Sequence, residues 1–111
     1  MTPDQVRVLK IEGHVNILVG YLELCESYDC YINNEPVSAA SVLHLLQIGE
    51  LATGLSDDFR LQHKCIPWKS IIGLRNIIAH RYGNLNYTRI WDILTNEIPS
   101  LSKWLKAKSD W

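Results

Sequence analysis

"IPWKSIIGLRNIIAHRYGNLNYTRIWDILTNEIPSL", Ile66 to Leu101, decides the fold. Its isoleucines favour strands as single residues, yet they are spaced as in helices. Trp68, Ile71, Ile72, Leu74, Ile77, Ile78 and Ala79 recur mostly at three- and four-residue steps. Ile90, Trp91, Ile93, Leu94, Ile98, Leu101, Trp104 and Leu105 do the same further on. Pro67 suits the first position of one helix, Gly83 its C-terminal stop and Asn86 the cap of the next. Pro99 is expected to kink that last helix or split it in two. No alternating strand of useful length occurs.

Upstream the pattern stays helical. In "SDDFRLQHKC", Ser56 can cap a short helix whose first turn carries Asp57 and Asp58. Before it, "AASVLHLLQIGELATGL" reads as a central helix capped by Ser38, with Val42, Leu45, Leu46, Ile48, Leu51 and Ala52 making it apolar nearly all round. The stretch "DCYINNEPVS" breaks the periodicity. At the N-terminus "TPDQ" supplies Thr2 as cap, Pro3 at the first helical position and Gln5 for a capping box. Val6, Leu9, Val15, Leu18, Leu22, Cys25 and Tyr28 predict a core stripe of about seven turns.

With 111 residues and 47% hydrophobic composition, the chain reads as one domain, residues 1–111, able to bury a core without staples. Cys25, Cys30 and Cys65 form no Cys-x-x-Cys pair, so neither a zinc knuckle nor a disulfide framework is supported, and a reducing compartment fits. No signal-peptide pattern opens the chain and no apolar run nears the ~18 residues of a membrane span, so a cytoplasmic protein is expected.

Charge divides sharply along the sequence. Residues 1–58 carry nine acids against Arg7 and Lys10, whereas Phe59 to Trp91 contain no acid. That segment holds Arg60, Lys64, Lys69, Arg75, Arg81 and Arg89. A one-sign field over a third of a small domain would attract a phosphate backbone or an acidic partner, unless folding disperses the charges.

Within it, "IGLRNIIAHRY" (Ile72 to Tyr82) concentrates polar groups at one helix end. Asn76 and His80 are four apart and share a face; Arg75 can reach the same patch. An imidazole can exchange a proton near neutral pH and a guanidinium can hold a phosphate through two hydrogen bonds. Those groups suit metal-free cleavage of RNA, in which a base activates the ribose 2′-hydroxyl and an acid protonates the leaving oxygen. They equally suit the plainer role of satisfying carbonyls where a helix ends.

The Ile66–Leu101 block resembles the C-terminal half of the HEPN superfamily, and within it the HepT-like toxins paired with nucleotidyltransferase antitoxins. The family signature R-x-x-x-x-H-x-Y is met by Arg75, His80 and Tyr82, with the polar Asn76 after the arginine. "LQIGELATGLSDDFR" is similar to the family's second helix and its exit, so the resemblance spans about residues 41 to 105. It implies an all-α, up-and-down bundle of four to five helices forming a homodimer, with both signature helices lining one cleft. The implied activity is metal-independent endoribonuclease action as a toxin, needing no cofactor: Arg75 and His80 catalytic, Asn76 supporting, and Lys69, Arg81 and Arg89 available to RNA phosphates. The implied partner is a cognate nucleotidyltransferase antitoxin of the MntA type that transfers AMP to Tyr82. Some HEPN domains instead serve as non-catalytic modules that support a transferase or bind nucleotide.

Arg81 departs from the family pattern, where an acidic or small residue is common, and a second cation there would lower the His80 pKa or add a phosphate contact. His44 reads as a core or interface histidine; His14 and His63 lack partners at metal-site spacing. Trp68, Trp91 and Trp104 read as core, with Trp68 able to border a dimer interface, whereas Tyr87 and Trp111 read as packing or surface residues with base stacking as the lesser alternative.

Overall fold

The computed structural model describes residues 1–80 and 85–107, with the side chains of Ile77, Ala79 and His80 excepted. Over these residues the chain is all-α, in six helices: α1 (Pro3–Leu24), α2 (Tyr28–Ile32), α3 (Glu35–Thr53), α4 (Asp57–Gln62), α5 (Trp68–His80) and α6 (Tyr87–Ala107). Helix α3 is central, packing on α1 and on α5; α6 lies against α1, and α2 touches both α3 and α6. No described helix is long and apolar enough to cross a membrane.

The capping box predicted at Thr2 forms: its hydroxyl accepts from Gln5 N (3.1 Å) while its own N–H donates to Gln5 Oε1 (2.8 Å). The buried stripe of α1 is Val8, Ile11, Val15 and Leu18, so the expected stripe is partly corrected. Val6 and Leu9 are 38% and 51% exposed. Apolar residues surround this helix, so spacing alone does not choose between adjacent stripes.

The break after α1 contains a helix that the sequence pattern did not show. Helix α1 stops at Leu24 instead of running to Tyr28, and Ser27 caps the five-residue α2. Tyr31 anchors it: the ring is buried, lies 5.0 Å from Trp91 and 6.4 Å from Tyr28 and Tyr87. Its hydroxyl shares a 2.6 Å hydrogen bond with Ser41 Oγ, and burial pushes its pKa up to about 12. Tyr87 is thus used in packing.

Helix α3 begins at Glu35 under an Asn34 cap, whose Oδ1 accepts from Val37 N (3.4 Å), and not at the expected Ser38 cap. Pro36, allowed in a first turn where N–H groups lack helical acceptors, lets the helix begin before Ser38. Ser38 lies buried inside it and donates to the Glu35 carbonyl (3.3 Å). Ser56 caps α4 as predicted, accepting from Phe59 N (3.2 Å), and is itself gripped by Asp4 of α1. The Asp4 carboxylate accepts from Ser56 N (2.9 Å) and Ser56 Oγ (2.6 Å), and these bonds lower its pKa.

Asn86 caps α6, accepting from Arg89 N (3.2 Å). This helix is continuous through Pro99, so the expected split does not occur. A proline inside a helix costs about 3 kcal/mol. Ile90, Leu94, Ile98, Leu101 and Leu105 are buried along α6 on both sides of the proline, at roughly 1.5–3 kcal/mol each for full burial. Packing therefore outweighs the lost bond. Trp68 is buried at the start of α5, its Nε1–H donating to the His63 carbonyl (3.0 Å) and its ring 5.8 Å from Trp104 and 6.2 Å from Phe59. It belongs to the core.

Candidate functional site

Helix α5 carries Arg75, Asn76 and the backbone of His80. Among the described residues Trp68, Ile71, Leu74 and Ile78 are its buried positions, fixing its rotation in the bundle. Asn76 and His80 stand one turn apart, about 6 Å along the axis and some 40° around it. The His80 side chain, Arg81, Tyr82 and the Gly83 stop lie outside the described residues, as does Trp111.

Arg75 is partly exposed and engaged on two sides. Its Nε pairs with the carboxylate of Glu50 on α3, and its Nη1 donates to Asn76 Oδ1 (3.4 Å). The helices come this close because residue 49 is glycine: a Cβ there would lie 2.8 Å from Arg75 Cβ. The acid of the N-terminal half thus folds onto the cation of the basic segment, and Glu97 of α6 likewise accepts from Ser70 Oγ of α5 (3.3 Å). The charge division seen in sequence is partly dispersed in space. Spacing along one helix could not have exposed Glu50, which is 25 residues from Arg75.

Lys69 and Arg89 are exposed in the first turns of α5 and α6. Lys69 precedes Arg75 by six residues, about 9 Å along α5 and near 120° around it, so the two do not share a face. No described contact joins Arg75 to Lys69 or Arg89.

The structure joins two other histidines that sequence spacing kept apart. His14 Nδ1 and His44 Nδ1 are 2.9 Å apart, linking α1 to α3, with the Tyr21 ring 5.9 Å from that of His44. One ring must donate and the other accept. Burial lowers the pKa of both, and the charge of His14 lowers that of His44 further. His63 packs between Phe59 (4.5 Å) and Trp104 (5.4 Å). Among the described residues no group of three or more His, Cys, Asp or Glu could hold a metal ion.

The sequence model of a family described as "Ribonuclease HepT-like" matches residues 11–107. A protein of Methanocaldococcus jannaschii named "Putative RNase MJ1380" is 36% identical over 76 residues, 68% of this chain and 70% of that protein. "Putative RNase TTE0752" of Caldanaerobacter subterraneus subsp. tengcongensis is 36% identical over 80 residues, 72% and 71% of the two chains. "Probable ribonuclease HepT" of Thermococcus cleftensis is 27% identical over 79 residues, 71% and 70%. No solved structure matches significantly.

Proposed function

The chain belongs to the HepT-like ribonuclease family of the HEPN superfamily, and from that premise we propose that it is a metal-independent endoribonuclease, the toxin of a nucleotidyltransferase toxin–antitoxin pair. The observation that carries the reading is the placement on α5 of a guanidinium hydrogen-bonded to Asn76, with the His80 position one turn beyond Asn76.

In this reading two copies associate so that both α5 helices border one cleft. One His80 takes the proton from a ribose 2′-hydroxyl, whose oxygen attacks the adjacent phosphorus. The bond to the 5′-oxygen breaks as the other His80 protonates it, leaving a 2′,3′-cyclic phosphate and a 5′-hydroxyl. The Arg75 side chains hold the phosphoryl oxygens as charge builds on them. Lys69, Arg81 and Arg89 contact flanking phosphates. In the off state the antitoxin directs the Tyr82 hydroxyl onto the α-phosphorus of ATP; pyrophosphate leaves, the phenol proton passes to solvent, and the attached AMP sets an anion where RNA phosphate would sit.

Expression in growing bacteria tests the toxin reading. Wild-type protein is expected to arrest growth and Arg75→Ala to relieve the arrest; arrest that persists in Arg75→Ala contradicts it. Intact mass after incubation with the cognate transferase and ATP tests the switch. One AMP per chain is expected, absent in Tyr82→Phe; an adduct retained in Tyr82→Phe rejects that residue.

A further inference from the structure

The reaction as drawn uses Arg75, Asn76, His80 and Tyr82, and leaves unexplained why a carboxylate stands on the arginine. Glu50 comes from a different helix, and the backbone there is arranged to deliver it: Gly49, buried beside Arg75, lets α3 approach α5 closely enough for the next residue to reach the guanidinium. We infer that Glu50 is a positioning residue, which fixes the plane of the Arg75 guanidinium through Nε and aims its Nη edge at the RNA phosphate.

Nε is the inner nitrogen of the side chain. A carboxylate bound there restrains the last side-chain torsions while leaving both terminal nitrogens accessible. Asn76 Oδ1 takes one hydrogen of Nη1 at 3.4 Å, and no described group takes Nη2. The free hydrogens therefore lie on the outer edge, the pair that can bind two phosphoryl oxygens side by side.

A role in stability accounts poorly for the pair. The side chains are 38% and 47% exposed, and ion pairs so open to water contribute little to folding. The other described ion pair, Arg60 with Asp57, spans three residues of one helix, whereas Glu50 and Arg75 are 25 residues apart and join two helices. A flexible arginine loses much torsional freedom when it binds phosphate, and restraining it beforehand reduces that loss in the transition state.

The inference rests on Arg75 acting on phosphate, as proposed above, and the experiment separates the two. RNA cleavage by the full chain is compared for wild type, Glu50→Ala, Glu50→Gln, Arg75→Ala and the double variant Glu50→Ala/Arg75→Ala, with thermal unfolding and the 15N-detected exchange rate of the Arg75 Nε–H measured in parallel. Glu50→Ala should lower kcat at least about tenfold with little change in melting temperature, and should release the Nε–H to rapid exchange. Glu50→Gln, whose amide oxygen still accepts from Nε, should restore most of both. In the Arg75→Ala background the second substitution should add nothing.

If Arg75→Ala is inactive while Glu50→Ala cuts as fast as wild type or faster, the inference is overturned, the faster result marking Glu50 as a competitor of phosphate. If wild type cuts no RNA, the ribonuclease reading fails by itself. The positioning contact is then judged by exchange: protection lost in Glu50→Ala and kept in Glu50→Gln supports it, and equal exchange in wild type and Glu50→Ala overturns it.

Discussion

Gly49 and Arg75 meet where α3 packs on α5: a Cβ on the glycine would stand 2.8 Å from Arg75 Cβ, 3.3 Å from Arg75 N and 3.2 Å from the Ile71 carbonyl oxygen. None of these is the movable end of a long side chain, so a methyl group there forces the helices apart. Gly49→Ala is expected to destabilise the protein by about 1–2 kcal/mol, as overpacking exceeds the helix-propensity gain of alanine. Gly13→Ala, where a Cβ meets nothing within 4 Å, should instead stabilise by up to about 1 kcal/mol. Urea unfolding of the two variants checks the opposite signs.

Asp4 ties the first turn of α1 to the cap of α4 through two donors of Ser56. Those bonds hold its pKa below the ordinary carboxylate value. The folded state therefore releases the proton more readily than the unfolded chain, and the contribution is complete above the unfolded value of about 3.9. It is lost as pH falls through the folded value. Asp4→Asn should flatten this acid limb of the stability curve. Ser56→Ala, which removes the cap as well, should cost about 1 kcal/mol at neutral pH.

The His14–His44 contact carries a proton linkage of the same sign at higher pH. Both pKa values lie below the ordinary histidine value because the rings are partly desolvated, with mutual repulsion adding to the shift at His44. Above pH 7 both rings are neutral and the pair adds no pH dependence. As pH falls through the unfolded value of about 6.5, the unfolded chain takes protons that the folded one resists, so stability drops. Melting temperature should fall more steeply between pH 7 and 5.5 in wild type than in His44→Gln. Equal slopes would show that the pair does not control this region.

Local signals read from the residues recovered most of the fold. Thr2, Ser56 and Asn86 each cap the helix that their neighbours predicted, and the buried faces of α3, α5 and α6 follow their apolar spacing. Misreadings came where two local rules competed or where burial decided. Ser38 was a plausible cap, but Asn34 followed by Pro36 opens α3 earlier. In α1 an apolar surface on every side hid which stripe faces the core. Helix α2 is held by the burial of Tyr31 against Trp91 and Ser41, contacts that a five-residue segment cannot announce.

The candidate site was legible along one helix and illegible across two. Arg75, Asn76 and His80 stand out because their spacing is set by the turn of α5. Glu50 and its glycine neighbour gained meaning only when α3 was laid against α5, since tertiary contact has no fixed spacing in sequence. The charge map misled for the same reason, as it placed Glu50 far from the cation that it pairs with.

The central claim is that this chain cuts RNA by transfer of protons through His80 without a metal. Purified protein incubated with single-stranded RNA in excess EDTA, with the product ends identified by mass spectrometry, tests it most directly. The account predicts 2′,3′-cyclic phosphate and 5′-hydroxyl ends, with the rate reduced about 10²-fold or more in His80→Ala. Cleavage by His80→Ala at the wild-type rate, or products ending in a 3′-hydroxyl, would contradict it.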